Sequence, residues 1–237
     1  MGLNTKFRTD KSEIMDDFSL EGEDLIEALD KIARINQLLG GNSLTLNGVK
    51  KLLARVDITK PITIVDIGCG NGDMLRMLAD YACKNNIDLK MFGVDANSCT
   101  IQYAQSLSKD YPNITYICDD IFGDDFKTMK YDIVLCTLTL HHFTNEKILD
   151  LIAIFNQNAS LGIVINDLQR SKVAYRLFEV ICFLFGLNRM LREDGLISIL
   201  RGFKKSELES FSNILNLKSY TIQWKWAFRY QWIIAKI

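Results

Sequence analysis

Residues 62–73 read Ile-Thr-Ile-Val-Asp-Ile-Gly-Cys-Gly-Asn-Gly-Asp. A β-branched run ends in Asp66 and passes straight into glycines at 68, 70 and 72, after which Met74, Leu75, Met77, Leu78 and Tyr81 recur at helical spacing. This is the pattern of a strand, a tight turn and a helix. Glycine suits such a turn because it tolerates φ > 0 and lets backbone approach a ligand at the helix N-terminus. The stretch predicts an α/β sheet with a nucleotide-like ligand at the end of its first strand.

Working outward, Ile87-Asp-Leu-Lys-Met-Phe-Gly-Val-Asp95 is a second strand ending in a carboxylate. It lies about 20 residues beyond the glycines, where an acid can take both ribose hydroxyls of an adenosine. A third strand, 114–118, runs into Asp119 and Asp120; a fourth, 131–137, runs into Leu138-Thr-Leu-His-His-Phe143; a fifth covers 161–165. Helical patterns near 72–85, 98–109 and 145–156 separate them, which implies a parallel sheet with right-handed crossovers. After a helix at 205–215, strand-like runs at 218–226 and 228–236 leave only a short turn between them, so they pair antiparallel.

A dinucleotide fingerprint would need a glycine at position 73, where Asp73 stands instead. Taken singly, Asp95 reads as a turn carboxylate and Asp119-Asp120 as a helix N-cap pair. Together these features fall in order at strand carboxyl ends, where open α/β sheets bind ligands. The acidic residue followed by G-x-G-x-G, matched by Asp66, Gly68, Gly70 and Gly72, resembles the first motif of the class I S-adenosylmethionine (SAM) dependent methyltransferases. Asp95, Asp119-Asp120 and the Leu-His-His stretch continue that resemblance over roughly residues 60–237. It implies a Rossmann-like seven-stranded sheet, mostly parallel with an antiparallel last strand, and SAM as cofactor with S-adenosylhomocysteine (SAH) as product. The cofactor-binding set so implied is Asp66, Gly68, Cys69, Gly70, Gly72, Asp95, Ala96, Asp119, Asp120, Ile121, Cys136 and Thr137.

The 237-residue chain, 48% hydrophobic, suits one α/β domain with extensions. Its net charge is −1, and no block of Lys or Arg forms a stripe, so a small-molecule acceptor fits better than nucleic acid. Six cysteines are scattered without C-x-x-C pairing, which points to a reducing cytoplasm and not to a metal site. No apolar h-region opens the chain, and the apolar segment 173–187 is too short for stable insertion across a bilayer.

Residues 1–58 read as an N-terminal arm and helical cap, and 59–237 as the SAM-binding domain. The arm is the polar stretch 1–21; a helix at 22–39 ends at Gly40-Gly41, and a second short helix covers 47–55. Between the fifth strand and the next core helix a connection of about 2 to 6 residues is usual, yet 166–203 intervenes. This helical insertion is expected to be a substrate lid, with 173–187 as lid helix, core or homodimer helix, or a membrane-surface helix without the basic face that role needs. Asn166-Asp-Leu-Gln-Arg-Ser171 with Ala174-Tyr175, the Asp194-Gly195 and Arg201-Gly-Phe203 stretches, and Glu13 to Asp17 with 35–41 resemble bacterial methyltransferases associated with aromatic polyketide pathways. That likeness implies a phenolic or polyketide-derived acceptor, whereas a membrane-surface role for 173–187 would favour a lipophilic one.

Methyl transfer from a sulfonium is an in-line displacement that alignment chiefly accelerates, by about 7–11 kcal/mol, while a positioned base adds roughly 10²–10⁴-fold. His141 and His142 are the only histidines and follow the fourth strand, so either is a candidate base, or packs on the cofactor or caps a helix. Asp167 is the next candidate base or a helix cap. Arg170, Tyr175 and Arg201 are candidate acceptor-binding residues, the arginines alternatively serving in ion pairs. The expected activity is methyl transfer at oxygen; a quinone-pathway C-methyltransferase and a non-catalytic SAM-fold partner subunit are the competing readings.

Overall fold

A computed structural model describes residues 3–236. Seven strands form one sheet in the order β3-β2-β1-β4-β5-β7-β6, with β1 Ile62–Ile67, β2 Leu89–Asp95, β3 Ile114–Cys118, β4 Tyr131–Thr137, β5 Ala159–Leu168, β6 Tyr220–Lys225 and β7 Arg229–Ala235. All pairings from β3 to β5 are parallel, and β7 runs antiparallel between β5 and β6. The chain order reverses beside β1, so ligands are expected at the carboxyl ends of β1 and β4.

Both faces of the sheet are covered, which is why the central strands carry apolar residues at successive positions. Val65, Ile67, Val134, Cys136, Ile163 and Ile165 face one way, onto α6 (Asn145–Asn158) and α9 (Lys205–Ile214). Ile62, Ile64, Ile133, Leu135 and Val164 face the other, onto α2 (Gly41–Leu53) and α3 (Asp73–Asn85). Phe155 and Phe203 are wholly buried in the first layer, and burial of such a side chain contributes ~1.5–3 kcal/mol.

The N-terminal helices differ from expectation in one respect. α1 (Glu23–Leu38) ends as its periodicity predicts, but α2 begins at Gly41 and not near residue 47. Gly40 takes a left-handed φ of 76° and starts the new helix as well as ending the old one. Its polar first turn, Asn42-Ser43, hid it from a periodicity reading. α2 lies so close to β5 that a Cβ on Gly48 would sit 2.5 Å from Val164 Cγ1.

α4 (Ser98–Leu107) and α5 (Asp124–Thr128) complete the crossovers on the β2 and β3 side. The 166–203 segment holds two helices, α7 (Lys172–Leu184), capped by Ser171, and α8 (Arg189–Arg201), capped by Asn188. They pack together through Phe178, whose ring occupies the space a Cβ on Gly195 would take. The strand before them is longer than its predicted core, so Asn166, Asp167 and Leu168 belong to β5. Among the described residues no helix is long and apolar enough to cross a membrane.

Candidate active site

A cavity of about 890 Å³ opens at the carboxyl edge of the sheet. Its walls come from the N-terminal arm, α1, the ends of β1, β2, β3 and β4, the α7–α8 insertion and the start of β7. At the β1 end the chain turns through Gly68, Gly70 and Gly72 at φ of 65°, 52° and 77°, conformations that L side chains rarely adopt. A Cβ on Gly68 would stand 2.4 Å from Thr139 Oγ1, and one on Gly72 would stand 2.0 Å from Tyr116 Oη. A Cβ on Gly70 meets only Leu29 at 3.8 Å, so this peptide faces open cavity.

Asp95 ties the turn to the second strand: Gly70 N–H donates to its Oδ2 at 3.2 Å and Asn97 N–H to its Oδ1 at 3.1 Å. Burial raises its pKa above the ordinary carboxylate value, and the backbone donors oppose that. Asp66 is wholly buried, its Oδ1 has no partner, and burial with the charges of Asp73 and Asp95 pushes its pKa well up. Asp119 Oδ1 accepts the Asp120 N–H at 2.8 Å, and Asp120 Oδ1 accepts that of Phe122 at 2.9 Å. Gly68, Cys69, Gly70, Asp95, Ala96, Asp119, Asp120, Ile121 and Thr137 line the cavity; Asp66, Gly72 and Cys136 do not. Cys136 is buried in the sheet core and Gly72 supports the turn from behind, while Asp66 stands beneath it. An open glycine peptide, a ring of carboxylates and apolar Ile121 and Met74 suit an adenosine with a cationic tail.

The other half of the cavity is built around His141. Its Nδ1 lies 2.7 Å from Asp167 Oδ1, and its backbone N–H donates to Asp167 Oδ2 at 3.1 Å. Asp167 is buried; burial alone would raise its pKa, but the charge and hydrogen bonds of His141 and the Leu168 N–H hold it below the ordinary value. An ionised carboxylate only accepts, so the hydrogen of that contact is carried by Nδ1. Among the described residues Nε2 has no hydrogen-bond partner; it lies 3.6 Å from Glu13 Oε1, which is buried and also accepts no hydrogen bond.

Glu13 reaches this point from the arm, anchored by Ser198 Oγ, which donates to its Oε2 at 2.7 Å. Burial lifts its pKa to about 7, against the pull of His142, Ser198 and Arg201. Asp16 is the opposite case: hydrogen bonds from His142 Nδ1 and Arg201 Nη1, both 2.6 Å, outweigh its burial and hold its pKa far below the carboxylate range. Asp194 Oδ1 and Oδ2 accept the backbone N–H groups of Ile14 and Met15 at 2.7 and 3.0 Å, fastening the arm to α8. Arg8 Nη2 donates to the carbonyls of His141 and Phe143 at 2.7 and 2.8 Å.

Arg201 lines the cavity, but its donors hold the Leu140–His142 turn, reaching the carbonyls of His141 and His142 as well as Asp16. Arg170 and Tyr175 stand outside the lining. Arg170 is buried against Gly202 O, Thr5 O and Glu207, whose Oε1 lies 2.6 Å from its Nη2, so it joins the arm to α9 and reaches no acceptor. The cluster Glu13, His141 and His142 presents one ligand atom each within 4.8 Å of one another, a size that a divalent cation could occupy. Against a cation stands Arg201 Nη1, 3.6 Å from Glu13 Oε1.

Glu13, Asp16, Asp194, Ser198, Arg8 and Arg229 were not among the predicted site residues. Glu13 and Asp16 did stand in a quoted motif, without a role attached. Arg229 had one available signal, a charge opening a strand whose other residues are those of a buried run.

The comparisons with known proteins agree with this fold. Residues 64–162 match the family described as a methyltransferase domain. The chain is 31% identical over 98 residues to 235L of Invertebrate iridescent virus 6, whose name assigns it provisionally to the methyltransferases; the match covers 41% of this chain and 34% of that protein, so it spans about a third of the relative's length. In structure it is similar to the plantazolicin methyltransferase BpumL in complex with SAH, with a TM-score of 0.67 at 18% identity over 88% of this chain and 89% of the other. It is also similar to magnesium protoporphyrin IX methyltransferase from Synechocystis PCC 6803 with bound SAH, with a TM-score of 0.54 at 18% identity over 82% of each chain. Residues 64–162 are therefore a methyltransferase domain, and the chain around them has the fold of the class I SAM-dependent methyltransferases.

Proposed function

We propose that this protein is a SAM-dependent methyltransferase that acts on a small aromatic or lipophilic acceptor at oxygen. The observation that carries the reading is one cavity with the glycine turn and Asp95 at one end and the Asp167–His141 pair at the other. Bound SAM supplies an electrophilic methyl group on a sulfonium. Asp95 is the residue to hold the ribose hydroxyls, Asp119 with Ala96, Asp120 and Ile121 to surround the adenine, and Gly68, Cys69, Gly70 and Thr137 to border the methionyl end. Asp66, Gly72 and Cys136 support that turn from the core.

His141 takes the proton of the acceptor hydroxyl on Nε2, and Asp167 stabilises the imidazolium that results. Most of the acceleration comes from alignment, ~7–11 kcal/mol, with the base adding roughly 10²–10⁴-fold. Residues 166–203 and the arm act as the lid that excludes water, and His142 with Asp16 and Arg201 keeps the turn in place. Six free cysteines support a cytoplasmic site of action. The outer face of α7, with Val173, Val180, Phe183 and Leu184 exposed, supports pairing of two copies.

The test is incubation with methyl-labelled SAM and a panel of phenols, followed by mass and NMR analysis of products. An O-methyl product is expected. A C-methyl product would move the protein to the carbon-methylating reading, and failure of SAM to bind in calorimetry would remove the enzyme reading altogether.

A further inference from the structure

Arg229 opens β7 with 3% of its surface exposed, and it borders the cavity. Among the described residues neither its Nε nor its Nη1 has a hydrogen-bond partner. The comparison with Arg170 and Arg201 is direct: both are buried, yet both direct their donors to carbonyls and carboxylates. Burial lowers the pKa of Arg229 only to about 10, so it stays a cation at neutral pH. A buried unpaired cation is a heavy desolvation cost, and an anion arriving from solution offsets it.

No group among the described residues does so. Asp167 attracts the cation, but its oxygens are already engaged by His141 and the Leu168 N–H. Asn36, whose Oδ1 also lacks a partner, borders the same corner and is neutral. The 13-residue helix α2 begins beside the guanidinium: an ideal Cβ on Gly41 would stand 3.1 Å from Arg229 Cζ. The positive end of that helix adds to the attraction for an anion.

The position of β7 decides whose anion this is. β7 stands three strands from β1 and two from β4, roughly 14 and 10 Å at the usual strand spacing of about 4.8 Å, and directly beside β5, which carries Asp167. The methionyl end of SAM belongs at β1 and β4. Leu168, Trp226 and Phe228 provide apolar walls around the same corner. We infer that Arg229 is a specificity residue that grips a carboxylate of the methyl acceptor, at a point remote from the atom presented to His141. A guanidinium fork matches a carboxylate in two parallel hydrogen bonds, so the acceptor class is an aromatic or lipophilic acid.

This rests on the methyltransferase reading, so the experiment measures binding and not turnover. Benzoate, 4-hydroxybenzoate, 3-phenylpropanoate and 1-naphthoate, each against its primary amide, are titrated into SAH-saturated protein by calorimetry and saturation-transfer NMR. At least one acid is expected to bind about tenfold more tightly than its amide. Arg229→Gln abolishes the difference and Arg229→Lys retains part of it, while both keep SAM affinity within about threefold. Arg229→Gln also melts above the wild type without ligand, because an unpaired buried charge is gone; if it does not fold, the Lys variant carries the comparison. The inference is overturned if no acid exceeds its amide, or if Arg229→Gln weakens SAM tenfold and leaves the acids unchanged. Failure of wild-type protein to bind SAM would strike the methyltransferase reading instead, with the acid–amide comparison still legible without SAH.

Discussion

In the proposed mechanism Asp167 holds His141 in place as the base. The 2.7 Å bond puts a hydrogen on Nδ1 and turns Nε2 toward Glu13, 3.6 Å away. His141→Ala should lower kcat by roughly 10²–10⁴-fold with SAM affinity unchanged in calorimetry. Asp167→Asn should lower it within the same rough range, and at a positioning residue the pH–rate profile must move too. Both residues read as candidate bases in the sequence, but that Asp167 acts through His141 could not be read there, since their pairing is a tertiary fact.

Glu13 gives a second residue-scale expectation. Its folded pKa of about 7 lies above the ordinary 4.5, so the folded state binds the extra proton and is the more stable for it at low pH. That contribution is whole below pH 4.5 and is lost as pH rises through 7. The wild type should therefore lose stability across that interval, by up to about 3 kcal/mol, and Glu13→Gln should flatten the dependence. Thermal melts of the two proteins from pH 4 to pH 8.5, compared as a difference, check it.

At the scale of elements, the glycine turn and the packed helices make separate demands. Gly68→Ala forces a side chain into both a positive φ and the Thr139 hydroxyl. SAM binding should be lost or weakened at least about tenfold, together with ~1–3 kcal/mol of stability. Gly195→Ala should instead loosen the α7–α8 contact by displacing Phe178. It should cost ~1–3 kcal/mol in denaturant titration and change SAM affinity less than Gly68→Ala does, since Gly195 and Phe178 belong to the α7–α8 wall of the cavity and not to the glycine turn. α7 itself was legible as an apolar segment, but its 3.6-residue period could not say which side faced the lid. The structure buries Ala174 and Cys182 and leaves Phe183 exposed. Phe183→Lys with Leu184→Lys should keep the melting temperature within a few degrees, as exposed substitutions do, and should yield monomers in sedimentation if copies pair through this face.

At the scale of the whole molecule, the fold was legible because its cause is local and repeated. Strands covered on both faces carry apolar residues at successive positions, as Ile64-Val65, Ile133–Cys136 and Ile163–Ile165 do, and crossover helices must carry an apolar stripe. The short turn before β7 forces antiparallel pairing. The cofactor half was legible for a related reason: Gly68, Gly70, Asp95 and Asp119 each sit at a strand's carboxyl end, and the topology brings strand ends together.

The acceptor half was not legible, because it is assembled from distant segments. Glu13 meets His141 and Ser198 across more than a hundred residues of chain, and Arg229 arrives on the last strand. By itself the sequence determined a doubly covered sheet, the place where β1 turns into a helix, and the donor bound there. Only the tertiary structure decided that Arg170 and Arg201 brace the molecule, that Asp167 orients a histidine, and that Arg229 is left facing the cavity unpaired. Hydrophobic period and turn chemistry act over a few residues and leave a record in order. Burial and pairing of charge act through space, and depend on which segments the fold sets side by side.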